Sequence, residues 1–512
     1  MNLKEIASDQ KIDLKILIFS FLIIIITGLI LRLNYVELEL PIILDGLNYF
    51  LYASNISQNG ILPNTFTPSN NGWPIFLSIF FTLITFDNII EYMQLQKVIT
   101  IIISTLTVIP VYFLCRKFFE RNYSLIGAAI FIFEPRIIQN SLFGITESLY
   151  LLLGTITLVL FLSSKKFIYI SFGLVALLTM VRSEGLFLFI ALSILFLIKY
   201  RPYKNKNLLK FVLAMSIFIL ILLPMIIYKT DIHEEDKIVS RITSGLEYES
   251  QNTYSKIITS VENFLKFLGW NMIPIFILFL PLGSILFLKQ LKKLKQFKFQ
   301  DQVLIVTIIS MSLPAFYAYS IPALDTRFLY FLYPIFCVIS LYSIKSIFNR
   351  IRKQNIITII IIGGIIITSV SFLEIKTINH DYEKDAFLFS LIISEKISGV
   401  NSYYPEDAYL TSASVIKNWP NILVSDKYGN PKMDFKIIET NEHDDLIEFI
   451  RDSKEKGLSH LVIDNNENRP DFLKIDPNKY PFLKNEEITI DPHGKYNGEL
   501  YQIDYEEFFK IY

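Results

Sequence analysis

Long apolar blocks alternate with short basic or polar stretches through the first three quarters of the chain. The blocks run from Leu14–Leu31 through Trp73–Phe86, Val98–Cys115, Tyr123–Phe133, Ile145–Leu162, Phe167–Val181, Leu186–Lys199, Leu208–Tyr228, Phe264–Leu288, Val303–Ile321 and Phe328–Ile347 to Ile356–Phe372. Most measure about 15–24 residues, and about 20 suffice for a helix to cross the hydrocarbon core. The pattern predicts a polytopic α-helical membrane protein with about 11–13 transmembrane helices. Trp73–Phe86, at about 14 residues, is short for a full crossing.

Beyond Phe372 the blocks stop. Residues 375–512 are polar and alternate on a shorter period, which predicts a soluble α/β domain. Helices are expected at Asp385–Ile397 and His443–Glu455. Short strands are expected at Tyr409–Thr411, Ile422–Ser425, Phe435–Ile438, His460–Ile463, Ile488–Ile490 and Leu500–Ile503, the last two joined by a hairpin-like Pro492–Gly498 connection. The chain thus reads as a membrane domain, 1–374, followed by a soluble domain, 375–512.

Charge position sets the expected sidedness. Lys4, Lys11 and Lys15 precede the first block, and no small-residue cleavage site follows it. This predicts a retained first helix with a cytoplasmic N-terminus. Basic clusters recur at Arg116-Lys117, Lys165-Lys166, Lys199–Lys206, Lys289–Lys298 and Arg350–Lys353. If Trp73–Phe86 crosses fully, every one of these clusters falls outside; if it dips and returns, every one falls inside. The second count obeys the positive-inside rule, so this segment, or another short one nearby, is expected not to reverse the topology.

That topology makes the loop 32–72, the long loop 229–262 and the C-terminal domain external. It also gathers ionisable groups at helix ends on the external side: Asp45, Glu134, Arg136, Glu147, Arg182, Glu184, Lys229, Asp325 and Arg327. Ionisable groups are costly near the bilayer and tend to mark a site. Asp45 suits two roles, a first-turn carboxylate stabilised by a helix dipole or a general base. Arg182 with Glu184 fits a turn ion pair as well as an anion site. Arg327 is either a partner for Asp325 or a phosphate ligand. Glu147 opens a helix, again either as a dipole-stabilised acid or as a group that orients substrate.

Composition narrows the function classes. Of 512 residues, 52% are hydrophobic and 14% aromatic, and the 48 basic residues balance the 48 acidic ones. Nothing in this balance favours nucleic acid. The two cysteines, Cys115 and Cys337, form neither a disulfide framework nor a zinc spacing. His233 among Glu234, Glu235 and Asp236 reads as a solvated acidic loop. There is no Gly-rich phosphate loop and no G-x-G-x-x-G, which argues against ATP or dinucleotide use.

Several short motifs in order complete the reading. They are the Asp45 loop with Tyr49, Trp73-Pro74, Glu134-Pro135-Arg136, Gly144-Ile145-Thr146-Glu147, Arg182-Ser183-Glu184-Gly185, Asp325-Thr326-Arg327-Phe328 and Tyr333-Pro334. In this order the chain resembles the GT-C superfamily of lipid-dependent glycosyltransferases, in particular the protein O-mannosyltransferase and aminoarabinose transferase branch with its archaeal members. Trp73-Pro74 stands where that branch often has His-Pro-Pro. A Trp-Trp-Asp-Tyr-Gly motif is absent, which argues against the oligosaccharyltransferase branch.

The resemblance implies an inverting transferase in the cell membrane. It would move a hexosyl or mannosyl-like sugar from a polyprenyl (dolichyl-type) phosphate to an external protein, lipid or glycan acceptor. It implies Asp45 as base and Arg327, Arg182, Arg136 and Lys229 as donor-phosphate ligands. Glu147, Glu184, Glu134, Asp325 and Tyr49 would orient acceptor or sugar. No obligatory cofactor is expected, with a divalent metal left open. The rival readings are a sugar-lipid transporter or flippase, which would favour paired halves with broken helices at mid-membrane, and a non-catalytic sugar-lipid binding subunit.

Overall fold

The computed structural model describes residues 3–63, 71–200, 205–232, 253–293, 298–320, 325–348, 354–376, 380–402, 408–419, 435–440, 443–464, 469–488 and 493–512. In chain order the helices are α1 Leu3–Tyr35, α2 Leu44–Asn59, α3 Gly72–Leu83, α4 Ile89–Leu106, α5 Val108–Arg116, α6 Arg121–Ile132, α7 Pro135–Ser141, α8 Glu147–Phe161, α9 Ile168–Val181, α10 Gly185–Tyr200 and α11 Asn205–Ile232. There follow α12 Thr253–Met272, α13 Phe276–Lys293, α14 Phe299–Ala318, a 3₁₀ segment Thr326–Leu332, α15 Tyr333–Phe348, α16 Gln354–Ile375 and α17 His380–Lys396. Strand β1 Gly399–Ser402, helix α18 Ala408–Lys417, strand β2 Lys436–Glu439, helix α19 Leu446–Ser453, strands β3 His460–Asp464, β4 Leu483–Glu486 and β5 Gly498–Ile503, and helix α20 Tyr505–Ile511 complete the chain.

The chain divides into two compact units. One comprises Met1–Val36, Thr67–Phe76 and Lys97–Thr377; the other comprises Glu37–Phe66, Leu77–Gln96 and Ile378–Tyr512.

The first unit holds most of the apolar helices. Among the described residues, six helices are long and apolar enough to cross a bilayer: Leu17–Tyr35, Ile89–Arg116, Asn207–Tyr228, Phe299–Ala318, Thr326–Ile347 and Ile356–Ile375. Four shorter apolar helices, α3, α8, α9 and α10, accompany them. At 12 residues, α3 is about 18 Å long, well short of a hydrocarbon core of roughly 30 Å. The apolar block Phe264–Leu288, read as one segment, is two helices: α12 and α13 meet at a bend of 116°. The break carries Pro274, which has no N–H to continue the helical ladder.

Close backbone approach ties the helices together. A Cβ on Gly283 of α13 would lie 2.3 Å from the Ile339 carbonyl oxygen of α15, so only glycine lets these two helices pack as they do. Arg32 lies in the last turn of α1, and it is fully buried. Its Nη1 donates to the carbonyl oxygens of Gly28 (2.9 Å) and Ile132 (3.0 Å), and its Nη2 to Ser104 Oγ (3.2 Å). It joins α1 to the carbonyl end of α6, where the helix dipole favours a cation.

The second unit is built on a five-stranded mixed sheet of order β2-β1-β3-β5-β4. β1 is parallel to β2 and β3, whereas β5 is antiparallel to β3 and β4. Side chains alternate between its faces. Leu461, Ile463, Tyr501 and Ile503 join Phe449, Phe482 and Phe508 in one core. Val400, Val462 and Leu500 join Phe389 and Ile393 of α17 in another. Asp385 of α17 anchors the chain ahead of β5: it is paired with His493 Nδ1 (2.9 Å) and accepts the Lys495 N–H (2.9 Å).

Three strand readings need correction or completion. Tyr409–Thr411 lies in α18, because Leu410, Ala413 and Val415 are buried at helical spacing and this packing overrides the β-preference of a short run. Ile488 is not in a strand; the strand that precedes β5 and pairs with it is β4, Leu483–Glu486, where Leu483 enters the core. β1 lacks an alternating pattern because all four of its residues are buried. Ile422–Ser425 lies outside the described residues.

Segments far apart in sequence belong to this second unit. Ser412 Oγ donates to the Ile42 carbonyl oxygen (2.7 Å). Lys384 Nζ pairs with Glu37 (3.1 Å) and Glu39 (2.9 Å). Phe50 of α2 is fully buried against Phe81 and Trp419, with ring centroids 5.6 and 5.8 Å apart.

Candidate active site

Three breaks between helices of the first unit converge. The first is the turn before α8. Gly144 holds a positive φ of 71°, a conformation that glycine adopts without strain. Its carbonyl oxygen accepts the Nε1–H of fully buried Trp73 at 3.0 Å. Glu147 then begins α8 with only 2% of its side chain exposed.

The second break, residues 182–184, separates α9 from α10. Gly72, at the start of α3, lies against it: a Cβ there would meet the Met180 and Val181 backbone at 2.6 Å. The third break is the Asp325 cap of the 3₁₀ segment. Asp325 Oδ1 accepts the Arg327 N–H (2.8 Å), and its own carbonyl oxygen accepts the Tyr319 hydroxyl (2.8 Å).

Five charged side chains form one network across these breaks. Arg182 Nη1 donates to Glu147 Oε1, and its Nη2 and Nε donate to Glu184 Oε1 at 2.7 and 3.2 Å. The Arg182 guanidinium also lies 5.7 Å from the centre of the Tyr150 ring. Arg327 Nε donates to Asp325 Oδ2 (2.5 Å), while its Nη1 is 3.7 Å from the same Glu147 Oε1. Thr146 Oγ1 donates to Glu147 Oε2 (3.3 Å). Exposure grades outward: 2% at Glu147, 13% at Arg182, 19% at Glu184 and 34% at both Arg327 and Asp325. The arrangement presents a guanidinium at the surface on a rigid, charged base, which suits binding of an oxyanion.

Arg136 and Glu134 occupy the neighbouring α7 turn. Arg136 Nη2 donates to the Trp270 carbonyl oxygen of α12 (2.7 Å). Glu134 is fully buried, two residues before Arg136. Nearby, Asn271 Nδ2 donates to the Thr326 carbonyl oxygen (3.4 Å), and the Tyr333 hydroxyl donates to Asn271 Oδ1 (2.5 Å). Asn271 carried no signal in the sequence. Tyr150 could have been found, since it follows Glu147 by three residues and so shares a helix face with it.

The remaining candidates lie elsewhere. Asp45 and Tyr49 belong to the second unit. Asp45 is exposed in the first turn of α2. Leu44 before it has a φ of 52°, a left-handed conformation that costs a non-glycine residue about 1–2 kcal/mol. Gly46 behind it is held by Gln96, whose Nε2 donates to the Gly46 carbonyl oxygen (3.0 Å). Tyr49 is half-buried. The Lys229 side chain and the His233–Asp236 acidic stretch lie outside the described residues. Among the described residues, no group of three or more His, Cys, Asp or Glu side chains could hold a metal ion. Glu147 and Glu184 are committed to Arg182 instead.

Solved structures share this architecture. The oligosaccharyltransferase of Archaeoglobus fulgidus, in complex with zinc and sulfate, superimposes with a TM-score of 0.57 at 14% identity, over 86% of this chain and 67% of that one. Archaeal oligosaccharyltransferase AglB from A. fulgidus, in complex with an inhibitory peptide and a dolichol-phosphate, gives 0.54 at 14%, over 86% and 69%. ArnT from Cupriavidus metallidurans, bound to undecaprenyl phosphate, gives 0.57 at 8% identity, over 95% and 97%. The chain has the GT-C fold. No family model matches the sequence, and no curated protein does. At these identities the likeness is one of fold, and it includes an oligosaccharyltransferase although the Trp-Trp-Asp-Tyr-Gly motif is missing.

Proposed function

We propose that the protein is an inverting GT-C glycosyltransferase that moves a sugar from a polyprenyl-phosphate carrier to an external protein, lipid or glycan acceptor. The observation that carries this reading is the Arg182–Glu147–Arg327 network in a fold whose solved members were obtained with dolichol-phosphate and undecaprenyl phosphate. Arg327 takes the carrier phosphate, since a guanidinium binds phosphate oxygens through two parallel bonds. Arg182 supports it from within, and Arg136 and Lys229 are the further cationic candidates.

In the reaction, the acceptor hydroxyl or amine attacks the anomeric carbon from the face opposite the phosphate. The new bond forms as the bond from that carbon to the phosphate oxygen breaks. The released electron pair stays on the phosphate, where the arginines stabilise the growing charge. The acceptor proton passes to Asp45 as general base. Glu134, Glu184, Asp325 and Tyr49 are assigned to orienting the acceptor or the sugar. The N-terminus is assigned to the cytoplasm and the C-terminal domain to the outside. The acidic groups of the network, Glu147 and Glu184, pair with Arg182.

The test is transfer of labelled sugar from synthetic polyprenyl-phosphate sugars to membrane extract, comparing wild type with Asp45→Asn and Arg327→Ala at equal expression and thermal stability. Transfer by wild type that both variants lose is the expected result. Carrier binding by all three proteins without transfer by any would favour the binding-subunit or flippase reading instead.

A further inference from the structure

We infer that Glu147 is a positioning residue that sets the reach of Arg327 toward an anionic lipid phosphate, rather than a group that touches the sugar. The inference rests on the proposed function, which supplies the ligand class. One carboxyl oxygen, Glu147 Oε1, is shared: Arg182 Nη1 donates to it, and Arg327 Nη1 lies 3.7 Å from it. The side chain is 2% exposed, so it sits behind the arginines and away from any ligand that approaches from solvent.

Each neighbour fixes it further. Thr146 Oγ1 donates to its other oxygen at 3.3 Å. Its position at the start of α8 sets its negative charge at the positive end of the helix dipole. Arg182 is in turn immobilised between Glu147, Glu184 and the Tyr150 ring. Glu147 is therefore the joint between an inner guanidinium that is held fast and an outer one that is a third exposed. Without it the two cations would face each other with one carboxylate fewer between them, and Arg327, still held at its Nε by Asp325, would lose the attraction that directs its Nη1.

The sign of the effect separates this role from simple charge. Removing a carboxylate raises the local positive potential, so by Coulomb attraction alone Glu147→Gln would bind a phosphate more tightly. If Glu147 positions Arg327, the same change weakens binding, roughly tenfold for the loss of one well-placed charge-assisted contact. The experiment measures the dissociation constant of undecaprenyl phosphate for the full-length protein in phosphatidylcholine nanodiscs, for wild type, Glu147→Gln and Glu147→Asp, each checked by thermal unfolding.

Weaker binding by Glu147→Gln supports the assignment; unchanged or tighter binding overturns it while leaving the proposed function in place. Should Glu147→Gln fail to fold, Glu147→Asp decides: it keeps the charge but shortens the reach, so it too must bind more weakly, and wild-type affinity overturns the assignment. If the wild type itself does not bind the lipid, the proposed function falls and the assignment falls with it.

Discussion

Trp73 and Gly144, seventy-one positions apart, are joined by a hydrogen bond of 3.0 Å from the indole Nε1 to the glycine carbonyl oxygen. The bond connects the first turn of α3 to the turn that delivers Glu147. Trp73→Phe keeps an aromatic ring and deletes the hydrogen bond that the buried indole donates. The expected cost is about 1–3 kcal/mol, read as a lower unfolding temperature in detergent.

Gly72 provides a companion test. An alanine there would bring its Cβ to 2.6 Å from the Met180 and Val181 backbone, which cannot give way as a flexible side chain can. Gly72→Ala should destabilise by about 1–3 kcal/mol, and an unchanged unfolding temperature would show that the two backbones are not in contact.

Arg182 is held by two carboxylates, one of them almost wholly buried. Arg182→Ala strands Glu147 without its main partner, at an expected cost of about 3–5 kcal/mol. Arg182→Met together with Glu147→Leu removes both charges and should recover most of that stability, although not transfer. A double variant no more stable than the single one would mean that the pair contributes little.

Asp45→Asn should abolish most transfer while leaving lipid binding and folding intact, because Asp45 is exposed and its loss opens no cavity. A positioned general base contributes about 10²–10⁴ in rate. Full activity in the asparagine variant would move the base elsewhere.

His460 gives the soluble domain a pH dependence. Burial pushes its imidazole below the ordinary histidine value, and Glu486, 3.5 Å from Nε2, opposes this only in part. The unfolded chain therefore takes up a proton that the folded domain resists. The resulting stability is present above about pH 6.5 and is lost as pH falls from there toward the lowered folded value. Unfolding temperature should decline across that window in wild type and decline less in His460→Gln.

The sequence by itself determined the class of fold. Apolar blocks of spanning length leave no soluble alternative, because their burial in lipid is forced by transfer free energy. It also determined which short motifs carry charge at helix ends, and Arg136, Glu147, Arg182, Asp325 and Arg327 all proved to lie at breaks between helices of one unit. Tertiary structure decided the rest. That Glu147 Oε1 is shared by two arginines depends on the meeting of α8, the 182–184 turn and the Asp325 cap, and no spacing along the chain encodes such an encounter. The same holds for Glu37–Phe66 and Leu77–Gln96, which group with the C-terminal residues through contacts such as Ser412 to Ile42 and Phe50 to Trp419. Periodicity records which face of a segment is apolar. It does not record which distant segment will cover that face, because apolar burial is non-directional and only complementary packing selects the partner.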